Sequence, residues 1–263
     1  MHFSLLIPTR TRIERLKVLL TSIVETTYDK TNVEVLIAYD VDDIPTRDFL
    51  IATNADGVTQ LQLNFPDLII KAFGRQQSPF INRDYYNWLA DKATGDFLWV
   101  MGDDLKILSP NWDSIAFDRL EVYLENKPDR VVYGNIDDGT PPPKDQPKFF
   151  CCFPIFSKEA VKALGFVFHN EIATWGADFA IYHIYGSSEI DRMCNLFDVK
   201  IDHICHHKYG ASYRDALNRQ IEANYRKLGG GTMVAHCVSN KVPEQIRKLR
   251  SVINNGMVRE KQV

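Results

Sequence analysis

Two features of the sequence predict an α/β fold with a mostly parallel sheet flanked by helices. The first 40 residues alternate as strand, helix and strand, and Phe97 to Met101 is an aromatic, apolar run that stops at Asp103-Asp104. Strand, helix and strand in so short a span make a βαβ unit with a parallel strand pair. Two charges at the end of a buried strand lie at a sheet edge, where the chain leaves the core. Carboxylates there are natural ligands for a hard cation, or simply part of a solvated turn.

Taken in order, Phe3 to Ile7 reads as a first buried strand stopped by Pro8. Thr11-Arg12-Ile13-Glu14 has the form of a capping box, and Ile13, Leu16, Leu20, Ile23 and Val24 recur at helical spacing to about Thr27. Val33 to Tyr39 is the second strand and ends in Asp40-Val41-Asp42-Asp43, with Pro45 able to open a short helix. Val58 to Leu63 and Leu68 to Phe73 are weaker strand candidates, and Phe80 to Ala93 reads as a helix. Gly95 breaks the pattern before the strand at Phe97. A helix over Asn111 to Glu125, with Trp112, Ile115, Leu120 and Tyr123 inward, precedes a short strand over Val131 to Tyr133. Gly139 to Pro147, with four prolines, is a loop. Beyond it come a strand over Phe149 to Phe156 and a helix capped by Ser157 and ended by Gly165. Helices over Asp178 to Tyr185 and Tyr213 to Leu228 flank a last strand over Phe197 to Ile201. Gly229-Gly230-Gly231 is a flexible joint before a basic helix over Pro243 to Asn254.

A chain of 263 residues is long enough for one large domain, or one with an appendage, and for a sizeable core. Apolar content of 45% and charged content of 25% are those of a soluble globular protein. A net charge of -3 makes no case for nucleic acid as the main partner. Five Cys without a C-x-x-C pair argue for reduced, buried thiols in a reducing, cytoplasmic setting. The N-terminal residues lack the basic leader of a signal peptide, and no run approaches the ~18 apolar residues of a membrane span.

In open α/β sheets, ligands bind beyond the carboxyl ends of the strands. Three predicted strand ends carry polar groups: Pro8-Thr9-Arg10, Asp40 with Asp42, and Asp103-Asp104. As parallel neighbours they would converge on one cleft. The first strand-to-helix turn, Pro8-Thr9-Arg10-Thr11, has no Gly, so neither a dinucleotide fingerprint nor a P-loop is present. A diphosphate there would need a cation held by Asp oxygens, Mg²⁺ or Mn²⁺, together with Arg or Lys.

These segments resemble the glycosyltransferases of the GT-A fold, specifically family 2, over about the first 110 residues. The matching pieces are Ser4-Leu5-Leu6-Ile7-Pro8-Thr9-Arg10, the second strand with its acidic end, and Asn87 to Asp96 leading into Asp103-Asp104. The resemblance implies a D-x-D motif whose last Asp, here Asp104, ligates the metal that bridges the donor diphosphate. Gly102 departs from it, standing where the first motif Asp is expected, with Asp103 as a substitute in the middle position. By the same resemblance Pro8, Thr9 and Arg10 would line the nucleoside pocket, and Asp40 would contact the base with Asp42 beside it. Arg83 would lie near the donor phosphates or sugar.

Phe153 to Ala160 and Trp175-Gly176-Ala177-Asp178 are similar to the acceptor half of these enzymes. The similarity implies Asp178 as the general base of an inverting transfer and Trp175 as a sugar platform, against plain readings as a helix cap and a core residue. In Asp202-His203-Ile204-Cys205-His206-His207, three His invite a zinc reading, but no paired Cys-His set completes a tetrahedral site. The resemblance implies instead His203 as a further metal ligand, and His206 or His207 as phosphate contacts. Arg214 would reach the donor phosphates from a segment able to close as a lid.

The implied organisation is a nucleotide-sugar half over 1–110, an acceptor and catalytic half over 111–228, and a helical extension over 229–263. The implied activity is metal-dependent transfer from a nucleotide sugar, by default a UDP-sugar, to a glycan, lipid carrier, protein or modified nucleobase. Three alternatives compete. A sugar nucleotidyltransferase should show a Gly-rich first turn. A templated polymerase, suggested by Gly102-Asp103-Asp104, needs a longer chain and a basic channel. A degenerate binding protein would fit the missing motif Asp.

Overall fold

A computed structural model describes residues 2–139, 151–204 and 216–260, without the side chains of 216–218 and 256–260. Strand β1 (Phe3–Thr9) leads into helix α1 (Ile13–Thr26), followed by β2 (Val33–Asp40), α2 (Ile44–Ile51), α3 (Gln60–Asn64) and β3 (Ile69–Arg75). A π-helical turn (Asn82–Asn87) runs into α4 (Trp88–Ala90), then come β4 (Phe97–Val100), β5 (Leu105–Ile107) and α5 (Trp112–Leu124). Next are β6 (Tyr133–Asp137), β7 (Ile155–Ser157), α6 (Lys158–Leu164), α7 (Ala177–Tyr185) and β8 (Met193–His203). Helices α8 (Ala216–Lys227), α9 (Gly230–His236) and α10 (Val242–Glu260) close the chain, with a π-helical turn (Cys237–Lys241) joining the last two.

The strands form one sheet in the order β3-β2-β1-β4-β7-β6-β8-β5. β1 pairs in parallel with both β2 and β4, and β2 with β3. Beyond β4 the pairing turns mixed, as β7 runs antiparallel to β4 and β6 while β6 and β8 are parallel. The switch lies at β4, where the first half of the chain meets the second. β2 is buried at every position and β4 likewise, as expected for strands covered on both faces. Trp99, Trp112, Tyr133 and Tyr185 are the largest fully buried side chains, and the Trp99 and Trp112 rings pack at 4.7 Å.

Five local expectations are corrected. Thr11 does not cap α1: it adopts a positive φ of 56°, its hydroxyl turns to the Arg10 carbonyl, and Glu14 pairs with Lys17. The tertiary cause is Asp43, whose carboxylate accepts the Thr11 amide at 2.6 Å and draws the turn toward the second strand end. Val58 to Leu63 is not a strand but leads into α3, where Thr59 and Gln62 form the reciprocal capping box. The strand predicted over Val131 to Tyr133 is displaced, because β6 begins at Tyr133. The last strand is longer than predicted because its C-terminal end, through His203, pairs with β5. Gly229 has a φ of 66° but serves as the cap of α9, so the joint is a helix start. Ser157 accepts from the Ala160 amide and Gly165 takes a φ of 85°, the two ends of α6 that its sequence predicts.

Candidate active site

The carboxyl ends of β1, β2 and β4 open on a cavity of about 290 Å³, close to the lower size for small-molecule sites. Pro8, Thr9, Arg10, Asp40, Asp103, Asp104, Trp175, Asp178 and His203 all line it. Tyr85, Tyr86 and Phe153 line it as well. Residues separated by more than 160 positions thus meet because β1, β2 and β4 are parallel neighbours and α7 and β8 face them.

At the centre, Thr9 Oγ1 donates to Asp103 at 2.8 Å. Arg12 Nη1 bridges the carboxylates, at 3.0 Å from Asp103 and 3.3 Å from Asp104. Arg15 lies at 3.8 Å and His203 Nε2 at 3.7 Å from Asp104. The pair titrates unequally. Burial pushes Asp103 up despite Arg12. Burial would also raise Asp104, but His203, Arg12 and Arg15 together hold it below the ordinary carboxylate value. Asp104 is therefore the member kept ionised.

The chemistry of this donor set suits a divalent ion. Asp104 Oδ1 and His203 Nε2 are 3.7 Å apart, a span that one ion with ligand bonds of about 2.1 Å can bridge. Phosphate oxygens and water would complete such a shell, the usual arrangement for Mg²⁺. Gly102 has a structural role in this arrangement. A Cβ there would stand 2.7 Å from Asp104 Oδ1, so the missing side chain leaves the space into which the Asp104 carboxylate folds.

Next to this centre, Arg10 holds Asp40 at 2.8 Å and Asp42 at 2.7 and 2.9 Å, and the Tyr85 hydroxyl also donates to Asp40. Asp42 is exposed and, unlike Asp40, does not line the cavity. Arg83 lies outside the cavity, ion-paired with Asp84 at 2.8 Å over the Phe80 ring. Arg214, His206 and His207 fall outside the described residues.

Asp178 stands in the first turn of α7 and lines the same cavity as the acidic pair. Its Oδ1 accepts its neighbour Phe179's amide at 2.9 Å. Burial pushes its carboxyl up, against the lowering effect of that amide and of the Cys152 thiol. A carboxylate tuned upward is a better proton acceptor near neutral pH. Trp175 is 43% exposed, with its ring 5.6 Å from Tyr225.

Sequence reasoning missed Arg12, Arg15, Tyr85 and Cys152. Arg12 was concealed by the apparent capping box. Its signal was the basic alternation Arg10-x-Arg12 directly after a strand end, where a cleft was already expected.

No protein-family model matches the sequence, and no curated protein matches it by sequence. Solved structures do match in shape. The TarS 1–349 fragment of S. aureus superposes with a TM-score of 0.57 at 12% identity, over 97% of this chain and 90% of that one. The fold is that of the GT-A glycosyltransferases. A longer TarS structure is matched over 77% of this chain at a TM-score of 0.55 and 15% identity, and this chain spans only 36% of its length. The mannosyltransferase PcManGT of Pyrobaculum calidifontis, in complex with GDP-Man and Mn²⁺, aligns over 98% of this chain and 75% of its own, with a TM-score of 0.52 and 14% identity. GalNAc-T7 with UDP, GalNAc and Mn²⁺ aligns over 77% of this chain and 43% of its own at 13% identity and a TM-score of 0.52. The GT-A frame accounts for the parallel half of the sheet and for the cavity at its carboxyl ends. Among the described residues, no helix is long and apolar enough to cross a membrane.

Proposed function

We propose that the chain is a metal-dependent, inverting glycosyltransferase that moves a sugar from a nucleoside diphosphate sugar to an acceptor hydroxyl. One observation carries the reading: Asp104, held ionised, and Asp178, whose carboxyl burial pushes above its ordinary value, line the same cavity. Pro8, Thr9, Arg10 and Asp40 would receive the nucleoside, with Asp42 holding Arg10 from outside. A uridine diphosphate sugar is the first choice, supported by the UDP and UDP-GlcNAc complexes of the TarS fragment. The GDP-Man complex of PcManGT keeps guanosine as the competitor.

Asp104 and His203 would hold Mn²⁺ or Mg²⁺, which when bound offsets the charge of the departing diphosphate. The Mn²⁺ complexes of two structural neighbours support a divalent ion. Thr9 and Arg12 keep Asp103 in place beside it. Asp178 takes the acceptor hydroxyl proton as that oxygen attacks the anomeric carbon and the bond to the diphosphate oxygen breaks. Trp175, at the mouth of the cavity, would offer the acceptor an aromatic face. Arg83, committed to Asp84 elsewhere, has no part in this reading. The acceptor class stays open among a glycan, a lipid carrier, a protein and a modified nucleobase, and the unpaired thiols favour a cytoplasmic setting.

A second reading, donor binding without turnover, is favoured by Gly102 and by Arg12 bridging both carboxylates. Thermal melting with UDP, GDP, CDP and dTDP, each with Mn²⁺, separates the readings when followed by release of the nucleoside diphosphate from the matching donor. UDP is expected to raise Tm with Mn²⁺, and Asp104→Ala to remove the Mn²⁺-dependent part while melting normally without ligand. No shift with any nucleotide would sink both readings. A shift without turnover, unaffected by Asp178→Asn, would select the second.

A further inference from the structure

We propose that His169, Glu171 and Cys237 form a zinc site that clamps the C-terminal helices to the segment carrying Trp175 and Asp178. His169 and Glu171 lie on the connection between α6 and α7, and Cys237 opens the π-helical turn between α9 and α10. One ligand atom from each lies within 4.8 Å of the other two, the one such group of three among the described residues. None of the three lines the cavity described above, so the site stands whether or not the transferase reading does.

The geometry is already close to a coordination shell. Cys237 Sγ and His169 Nδ1 are 3.7 Å apart. Zinc bonds of about 2.3 Å to sulfur and about 2.0 Å to nitrogen, at the tetrahedral angle, set these atoms about 3.5 Å apart. The Glu171 amide donates to Nδ1 at 3.3 Å, so in the neutral ring Nδ1 carries the lone pair and Nε2 the proton, and zinc on Nδ1 would replace this long amide contact. Cys237 is 1% exposed, whereas Glu171 is exposed, with a carboxylate oxygen within 4.8 Å of the other two ligand atoms. The charged groups facing the cluster are Lys241, 3.5 Å from Glu171, and Glu244 near His169. Lys241 now neutralises Glu171, and a bound cation would take over that role.

Sulfur, nitrogen and oxygen donors in one small cluster favour zinc over Mg²⁺ or Ca²⁺, which prefer oxygen alone. Three protein ligands leave the fourth position to water. The π-helical turn at Cys237 fits the same picture, because such turns occur mostly at functional positions. The structural consequence is a brace. From inside the fold, Asn82 already holds the carbonyls of Ile172 and Thr174 at 2.7 Å. The zinc site would hold the same segment through His169 and Glu171, three residues and one residue before Asn82's contact with Ile172 and close in sequence to Trp175 and Asp178.

Cobalt is the probe. The full chain should take up Co²⁺ with the visible bands of a tetrahedral site and a thiolate-to-cobalt charge-transfer band. Cys237→Ser should remove that band, and Glu171→Ala, an exposed change that leaves the core intact, should weaken Co²⁺ and Zn²⁺ binding at least tenfold. Zn²⁺ should raise Tm in the wild type and in Asp104→Ala, which lacks the cavity's cation ligand. A charge-transfer band that persists in Cys237→Ser, unchanged affinity in Glu171→Ala, or the absence of any Zn²⁺ effect on Tm in Asp104→Ala would each overturn the proposal.

Discussion

Asp104 folds its carboxylate over Gly102 because no Cβ stands in the way. At that one position an absent side chain decides where the charge sits. Arg12 then decides how the charge is shared, bridging two acids that would repel each other if left alone in a buried site. Asp178 has the opposite problem: it lacks an ion-pair partner strong enough to offset burial, and its pKa rises. The sign of its linkage follows. A carboxyl whose folded pKa lies above its ordinary value of 3.8 binds its proton more tightly in the native state, so its ionisation costs stability. That cost appears as pH rises through the folded pKa and disappears as pH falls back toward 3.8. Asp178→Asn is therefore expected to raise Tm at pH 8 relative to wild type, to leave it nearly unchanged below pH 4, and to lower transfer by about 100-fold or more. Melting curves at the two pH values, together with a turnover assay, check all three.

At the scale of elements, β2 is buried throughout and yet carries Glu34, whose side chain is fully enclosed. Burial alone would raise this carboxyl. Hydrogen bonds from Lys71, Ser4 and Thr94 hold it down to about 2. Those partners lie on β1, on β3 and in the turn before β4, so one side chain ties four neighbouring pieces of the parallel sheet. Its stabilisation is present above the ordinary value of 4.5 and is lost as pH falls from there toward about 2. Glu34→Ala is expected to cost about 2 kcal/mol at pH 7, since it leaves several buried donors without their acceptor. Urea unfolding at pH 7 and again at pH 3 should show that cost shrinking in acid. The periodic apolar residues made β2 legible, but no local pattern reveals why a Glu belongs inside it. The same limit explains the two capping boxes. Thr59 and Gln62 form one that passed as a strand in the sequence, whereas Thr11 and Glu14 have the right spacing but lose to Asp43 from another loop.

At the scale of the whole molecule, α10 packs on α6 and α7, and α8 lines the cavity through Gln220, Ile221 and Asn224. Lys248 donates to the Leu164 carbonyl at 2.7 Å, and Arg250 pairs with Glu189 at 2.9 Å. Gly176, with a φ of 88°, stands where a Cβ would meet Val234 Cγ2 at 2.6 Å. Gly176→Ala is expected to destabilise the chain by about 2 kcal/mol through both backbone strain and overpacking. It should also lower turnover more than Gly57→Ala, whose added Cβ meets nothing within 4 Å although its φ is also positive, at 76°. Equal effects of the two changes on turnover would mean that the C-terminal helices do not position the Trp175–Asp178 segment. By itself, the sequence determined the succession of βα units, the three polar strand ends and the want of a glycine cradle for phosphate. These are short-range properties, set by hydrophobic period and by breaker residues within a few positions. Only the tertiary structure decided that Arg12 bridges the acidic pair, that the Tyr85 hydroxyl donates to Asp40, and that Cys237 comes to rest against His169. Such meetings depend on strand order and on which helix packs where, and the energy that fixes them comes from contacts between residues tens to hundreds of positions apart.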